Sequence, residues 1–173
     1  ALSAAIGDSF NMISVDGDTS TNDMVTVLAN GCAENAPIID AKSEEFQRFA
    51  AALKEVCVSL AKQIVADGEG ATKLFAVKVL NAPTTRDAKT IARAVTSSSL
   101  VKAAMYGRDA NWGRIACAAG YSGALFDPDK MDIFIGDLLV AQHGQGLAFD
   151  EDKALAILSE KTIEVTIDLH EGN

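Results

Sequence analysis

Proline, cysteine and histidine are scarce in this chain of 173 residues, numbering three, three and two. With so few prolines, long structureless linkers are not expected. Cys32, Cys57 and Cys117 are odd in number and widely separated, and no CxxC or Cys/His cluster occurs. That excludes a disulfide framework and a structural zinc site. Each cysteine lies among small or apolar neighbours and is expected to behave as a small buried hydrophobe, a pattern that fits a reducing cytoplasm. No apolar run approaches the roughly 20 residues that span a bilayer. The opening ALSAAIGDSFNM has no basic n-region, so a secretory signal is not expected either. Basic residues are outnumbered, 15 Lys and Arg against 24 Asp and Glu, for a net charge of −9. A field of that sign repels phosphate backbones and anionic bilayers, so neither nucleic acid nor membrane is an expected partner.

What remains is the composition of a globular protein, with 49% hydrophobic and 23% charged residues. The length suffices for one sizeable core or two small domains. The opening reads as the tail of a helix followed by a strand over Phe10 to Val15, then a polar knot, Asp16 to Asp23. Thr21 to Asn30 is expected to be helical, capped by the threonines and ended by Gly31, although Val25, Thr26 and Val27 also suit a strand. Ser43 to Ala66 is the clearest helix: Phe46, Phe49, Leu53, Val56, Leu60 and Ile64 recur at spacings of three and four on one face. Gly68 is placed to end it in a left-handed conformation. A strand over Leu74 to Val79, a capped helix from Thr84, and helices over Leu100 to Tyr106 and Asn111 to Tyr121 follow. Met131 to Ile135 and Leu138 to Gln142 read as a hairpin turning at Gly136-Asp137. A helix over Glu151 to Leu158 precedes a last strand, where Ile163, Val165, Ile167 and Leu169 alternate with polar residues. Mixed helices and strands with hairpin character predict an α+β fold in layers.

Three polar motifs carry the chemistry. In DGDTSTND, Asp16, Asp18, Ser20 and Asn22 alternate as in a calcium loop. The EF-hand pattern wants Gly and Glu where Thr21 and Val27 stand, leaving caps and turns or a polar wall beside a site. In DGEGATK, Glu69 sits between two glycines, where backbone can approach a ligand. It reads either as a solvated charge at a helix end or as a carboxylate that binds an ammonium group or assists proton transfer. GRDANWGR holds the only Trp and two arginines, yet lacks the phosphate-loop pattern. Asn111, Trp112 and Arg114 read as a helix-capping turn with a packed indole. His143 and His170 are expected at the surface near strand ends, and without GxSxG a Ser-His-Asp hydrolase is disfavoured.

SFNMISVDGDTSTNDMVTVLANG, IVADGEGATKLFAVKV and SSLVKAAMYGRDANWGRIACAAGYSG resemble, in order and spacing, the signature blocks of the ornithine acetyltransferase (glutamate N-acetyltransferase) family. The resemblance extends over essentially the whole chain, to the terminal VTIDLHEGN. It implies a precursor that cuts itself before a threonine to give α and β chains assembling as α2β2. The new N-terminal Thr of the β chain takes the acetyl group from N-acetylornithine and passes it to glutamate in arginine synthesis, some members also using acetyl-CoA. No other cofactor and no metal are implied. Residues 1–70 would then belong to a layered α/β/β/α catalytic domain completed by the α chain. Residues 71–173 would form a smaller C-terminal α+β domain. Glu69 matches the family's active-site glutamate and is the substrate-binding residue the resemblance assigns. The nucleophile lies upstream of the segment matching Ala1, and a substrate-binding tail lies beyond Asn173, so this stretch alone is expected to be inactive. The competing class is an acidic α+β module that binds a protein partner or a small amino acid without turnover.

Overall fold

The computed structural model describes residues 1–172, and the chain divides into two compact units, Ala1–Asp67 and Gly68–Asn173. The first unit is helical. α1 (Leu2–Gly7) packs on α2 (Glu44–Ala66). Ser43 caps α2, its hydroxyl accepting the Phe46 N–H at 3.2 Å, while Glu44 and Glu45 lie at the positive end of the dipole. The expected apolar stripe is present, but only its edge is covered. Ala5, Cys57 and Ala61 are buried, and Lys54 reaches Asp8 beside them at 2.5 Å. Phe46 and Leu53 are half-buried; Phe49, Val56, Leu60 and Ile64 stand exposed.

The segment between the helices departs from expectation. Phe10–Met12 is a single 3-10 turn rather than a strand, and residues 13–42 form neither helix nor strand. A strand needs a neighbouring edge for its hydrogen bonds, and this unit has no strand to offer. A helix over Thr21 to Asn30 needs an apolar face to bury. None is buried here: Met24 and Leu28 are 83% and 91% exposed.

The second unit is α+β. Its mixed sheet has the order β1 (Leu74–Leu80), β5 (Thr162–Asp168), β2 (Asp132–Ile135), β3 (Leu138–Gln142), β4 (Gln145–Gly146). β1 runs parallel to β5, pairing Val77 with Val165; β2 runs antiparallel to β5, pairing Ile133 with Ile167. The alternation in β5 places Ile163, Val165, Ile167 and Leu169 in the core with Ile133, Ile135 and Val140. The core is completed by Ile91 and Val95 of α3 (Thr85–Ser97), Val101 and Met105 of α4 (Ser99–Gly107), and Ile115 and Ala118 of α5 (Trp112–Gly120).

Caps set the helix boundaries. Thr84, Ser98 and Asn111 accept the N–H groups of Asp87, Val101 and Arg114 at 3.1, 3.3 and 3.1 Å. Ser98 both ends α3 and starts α4, which accounts for the break at the three serines. Asp150 caps α6 (Glu151–Ser159) through the Lys153 N–H at 2.9 Å. Gly136 has φ +59 in the two-residue turn joining β2 to β3, as the hairpin reading required. A second tight turn went unpredicted: His143 and Gly144 both have positive φ, +50 and +72, between Gln142 and Gln145. Gly is required there, since a Cβ at position 144 would stand 2.5 Å from the Pro128 carbonyl oxygen. Two of the three cysteines, Cys32 and Cys117, are exposed and only Cys57 is buried, correcting the expectation for the pair. Cys32 falls in the open segment, which buries almost nothing.

Candidate functional site

DGEGATK folds into a tight turn after α2. The Ala71 N–H donates to the Gly68 carbonyl at 2.9 Å, and Gly70 takes φ +71 at the third turn position, a conformation that suits Gly. Gly68 is not left-handed, so the helix end expected there falls instead to Asp67, with φ −96, and the left-handed residue to Gly70. Glu69 occupies the corner of the turn. Its side chain is exposed and has no hydrogen-bonding partner among the described residues. Lys73, where the turn enters β1, donates to the Leu158 carbonyl at the end of α6, anchoring that side of the loop.

GRDANWGR brings two of its three singled-out residues to one hollow and sends the third elsewhere. Asn111 and Arg114 line a hollow of about 370 Å³ together with Ser98, Ser99, Leu100 and Cys117. Arg114 donates through Nη1 to the Leu100 carbonyl at 3.0 Å. Asn111 caps α5 with its carbonyl oxygen and donates through Nδ2 to Asp109 at 3.0 Å. Trp112 instead lies against β4, its ring occupying the space a side chain at Gly146 would need. The packed-indole reading holds. Arg108, with φ +57, ends α4 where Gly is commoner, and the next N–H, of Asp109, closes on Ala104 at 2.9 Å.

Asp16 to Asp23 forms an exposed run of small turns. The Asp16 carboxylate accepts the Asp18 N–H at 2.8 Å, and the Ser20 hydroxyl donates to Asn22 Oδ1 at 3.0 Å. Among the described residues no three His, Cys, Asp or Glu converge as metal ligands would.

A cluster that the sequence reading missed surrounds Asp132. This carboxylate is 6% exposed on β2. Its Oδ1 accepts the His143 N–H at 2.8 Å, and its Oδ2 lies 2.9 Å from His170 Nε2. On β5, Asp168 is register partner to Asp132 and accepts from Asn81 Nδ2 at 2.8 Å and from the His170 N–H at 3.0 Å. His170 Nδ1 is 3.6 Å from Asp168. The hydrogen bond to Asp132 raises the His170 pKa, with the charges of Asp168 and Asp132 adding to it against desolvation. For Asp132, burial pushes its pKa up, but the His143 N–H and the His170 bond and charge together hold it below the usual carboxylate value. The histidines are exposed near strand ends, as expected. The available signal was the acid in MDIFI, a charge set within an otherwise apolar strand.

Comparison with known proteins gives a consistent picture. A family model described as "ArgJ family" matches residues 1–173. The arginine biosynthesis bifunctional protein ArgJ of Thermotoga neapolitana is 55% identical over 175 residues, spanning 99% of this chain and 44% of that protein. Its namesake from Symbiobacterium thermophilum is 56% identical, spanning 99% of this chain and 42% of its own length. A crystal structure of the Bacillus halodurans protein of that name superposes with a TM-score of 0.95 at 45% identity, covering 99% of this chain and 81% of that one. The chain therefore spans less than half the length of the curated relatives it matches.

Proposed function

Because this chain belongs to the ArgJ family, we propose that it is the β-subunit portion of an acetyltransferase of arginine biosynthesis. The enzyme moves the acetyl group of N-acetylornithine to glutamate. The observation that carries this reading is 55% identity to a bifunctional arginine-biosynthesis protein along 99% of the chain. The activity, substrates and partners of the whole protein are carried over from the resemblance.

In this reading a threonine hydroxyl contributed from upstream of Ala1 attacks the acetyl carbonyl of N-acetylornithine. The proton passes to the threonine's own amine, and donors from the α chain hold the tetrahedral oxyanion. Collapse expels ornithine, which takes the proton as it leaves, and an acetyl ester remains on the threonine. The glutamate amine then attacks that ester, releasing N-acetylglutamate and restoring the hydroxyl. Acetyl-CoA serves as a second acetyl donor if its thioester reaches the same threonine. Glu69 binds the substrate ammonium or steers the proton; its exposure on a turn with no internal partner leaves it available to a group from outside this chain.

The α chain, in an α2β2 assembly made by self-cleavage, is the proposed partner. Support comes from α2, whose large apolar residues Phe49, Val56, Leu60 and Ile64 are uncovered, and from the open segment 13–42. Single exposed apolar residues are ordinary, but a stripe along one helix calls for a cover. Cytoplasmic localisation follows from the biosynthetic role, and among the described residues no helix is long and apolar enough to cross a membrane.

The test is kinetic. In the complete protein, Glu69→Gln is expected to lower acetyl transfer from N-acetylornithine by about 100-fold or more, within the range for lost proton-transfer or electrostatic assistance. Circular dichroism should stay unchanged, since the side chain supports nothing else. Wild-type turnover in that variant removes Glu69 from the mechanism.

A further inference from the structure

We propose that His170 is a proton-operated latch, which when protonated fastens the segment following β5 to the β2–β3 hairpin and when neutral lets it go. The geometry begins with two acids. Asp132 and Asp168 are register partners on adjacent antiparallel strands, so their carboxylates share one face of the sheet. Like charges in directly opposed positions destabilise a strand pair. The imidazole of His170 stands between them, with Nε2 2.9 Å from Asp132 and Nδ1 3.6 Å from Asp168.

The two protonation states differ in what they can satisfy. Imidazolium has two N–H groups, one hydrogen-bonded to Asp132 at 2.9 Å and the other facing Asp168 at an ion-pair distance of 3.6 Å. Neutral imidazole has one, so a lone pair must face the other acid. Loss of the proton therefore removes the positive charge between two negative ones, and with the remaining N–H kept on Nε2 for Asp132 it leaves the Nδ1 lone pair facing Asp168 at 3.6 Å. The raised pKa of His170 agrees with this arrangement.

The ring is attached to a short, strained piece of chain. His170 has φ +52 and Asn81, which receives the segment, has φ +48. Non-glycine residues in this region persist only where surrounding contacts hold them. Those contacts are the N–H groups of Glu171 and Gly172, both donated to the Asn81 carbonyl, the first at 2.8 Å. Glu171 also accepts from the Asp127 N–H at 3.2 Å and lies 3.4 Å from Lys130 Nζ. The remaining titratable neighbour is His143, on the β3–β4 turn, whose Nδ1 is 3.9 Å from Asp132, beyond hydrogen-bonding reach. His170 is thus the group whose charge is set between the two acids.

Hydrogen exchange in the intact protein tests the latch. Protection of the amides of residues 169–172, corrected for intrinsic rates, is expected to fall by about threefold or more as pH rises through the His170 titration. Exchange of the imidazole C2 hydrogen, followed by mass spectrometry on the same samples, gives that titration directly. The two midpoints should coincide. Asp132→Asn should lower the His170 midpoint and flatten the protection step, whereas His143→Asn, which keeps the backbone N–H, should leave both in place. If Asp132→Asn does not fold, His170→Gln decides, because the side chain is 45% exposed. A protection step that persists in His170→Gln, or a wild-type step displaced from the His170 titration, overturns the latch. Neither readout requires acetyl transfer, so the outcome is independent of the proposed enzymatic activity.

Discussion

Neither Gly144 nor Gly146 has room for a side chain, the first because of the Pro128 backbone and the second because of the Trp112 ring. At Gly144 an added Cβ would meet the Pro128 carbonyl at 2.5 Å, with φ at +72. Gly144→Ala is therefore expected to cost about 2 kcal/mol or more, since strain and steric overlap add. Urea denaturation would measure it. The pH dependence of stability also belongs to single residues. His170 has its pKa raised on folding, so its contribution is complete below its unfolded value and fades as pH climbs through the folded one. Asp132, with its pKa lowered, contributes above its unfolded value and loses that contribution as pH falls through the folded one. The melting-temperature gap between the native protein and His170→Gln should accordingly narrow as pH rises above 6.5 and through the folded-state titration. Little of this was legible beforehand. A lone histidine and an acid in an apolar strand are 38 positions apart, and nothing local joins them. Glu69 stands out as a candidate because its two glycines are its sequence neighbours.

Helices and strands divide by whether their stabilising partners are local. α2, α3, α4, α5 and β5 each carry a cap or an alternation within their own sequence, and each forms where those signals lie. Ser98 shows how local the rule is: its backbone N–H closes one helix on the Val95 carbonyl and its hydroxyl opens the next. Ser98→Ala should cost about 1 kcal/mol, as for other lost caps, again read from denaturant midpoints. β5 is an interior strand of the sheet, and Ile167 is fully buried in the core. Ile167→Ala is expected to cost about 2–5 kcal/mol. The failures follow the same rule. Phe10 to Val15 and Thr21 to Asn30 have composition suited to regular structure, but Ala1–Asp67 offers no strand edge to the first and buries no apolar face of the second. The two-residue strand β4 was missed because its pairing is fixed by the His143-Gly144 turn, a dipeptide less telling than Asn-Gly.

The whole molecule consists of a closed unit and an open one. Gly68–Asn173 surrounds its own core, whereas Ala1–Asp67 leaves a long helix covered along one edge. If the α chain covers the open segment 13–42, amides within Met24 to Ala29 should be strongly protected from exchange in the complete assembly and unprotected in the separate chain. Equal exchange in both would remove this segment from the interface. Charges placed at Leu60 and Ile64 should weaken the assembly while leaving the second unit folded. One indole offers a way to follow that unit alone. Trp112 is the only Trp in the chain, and its ring rests on the backbone at Gly146. Any event that lifts the outermost strand from α5 must wet that ring and shift its emission to longer wavelength, so the protein carries its own optical gauge of sheet-edge opening and needs no attached dye.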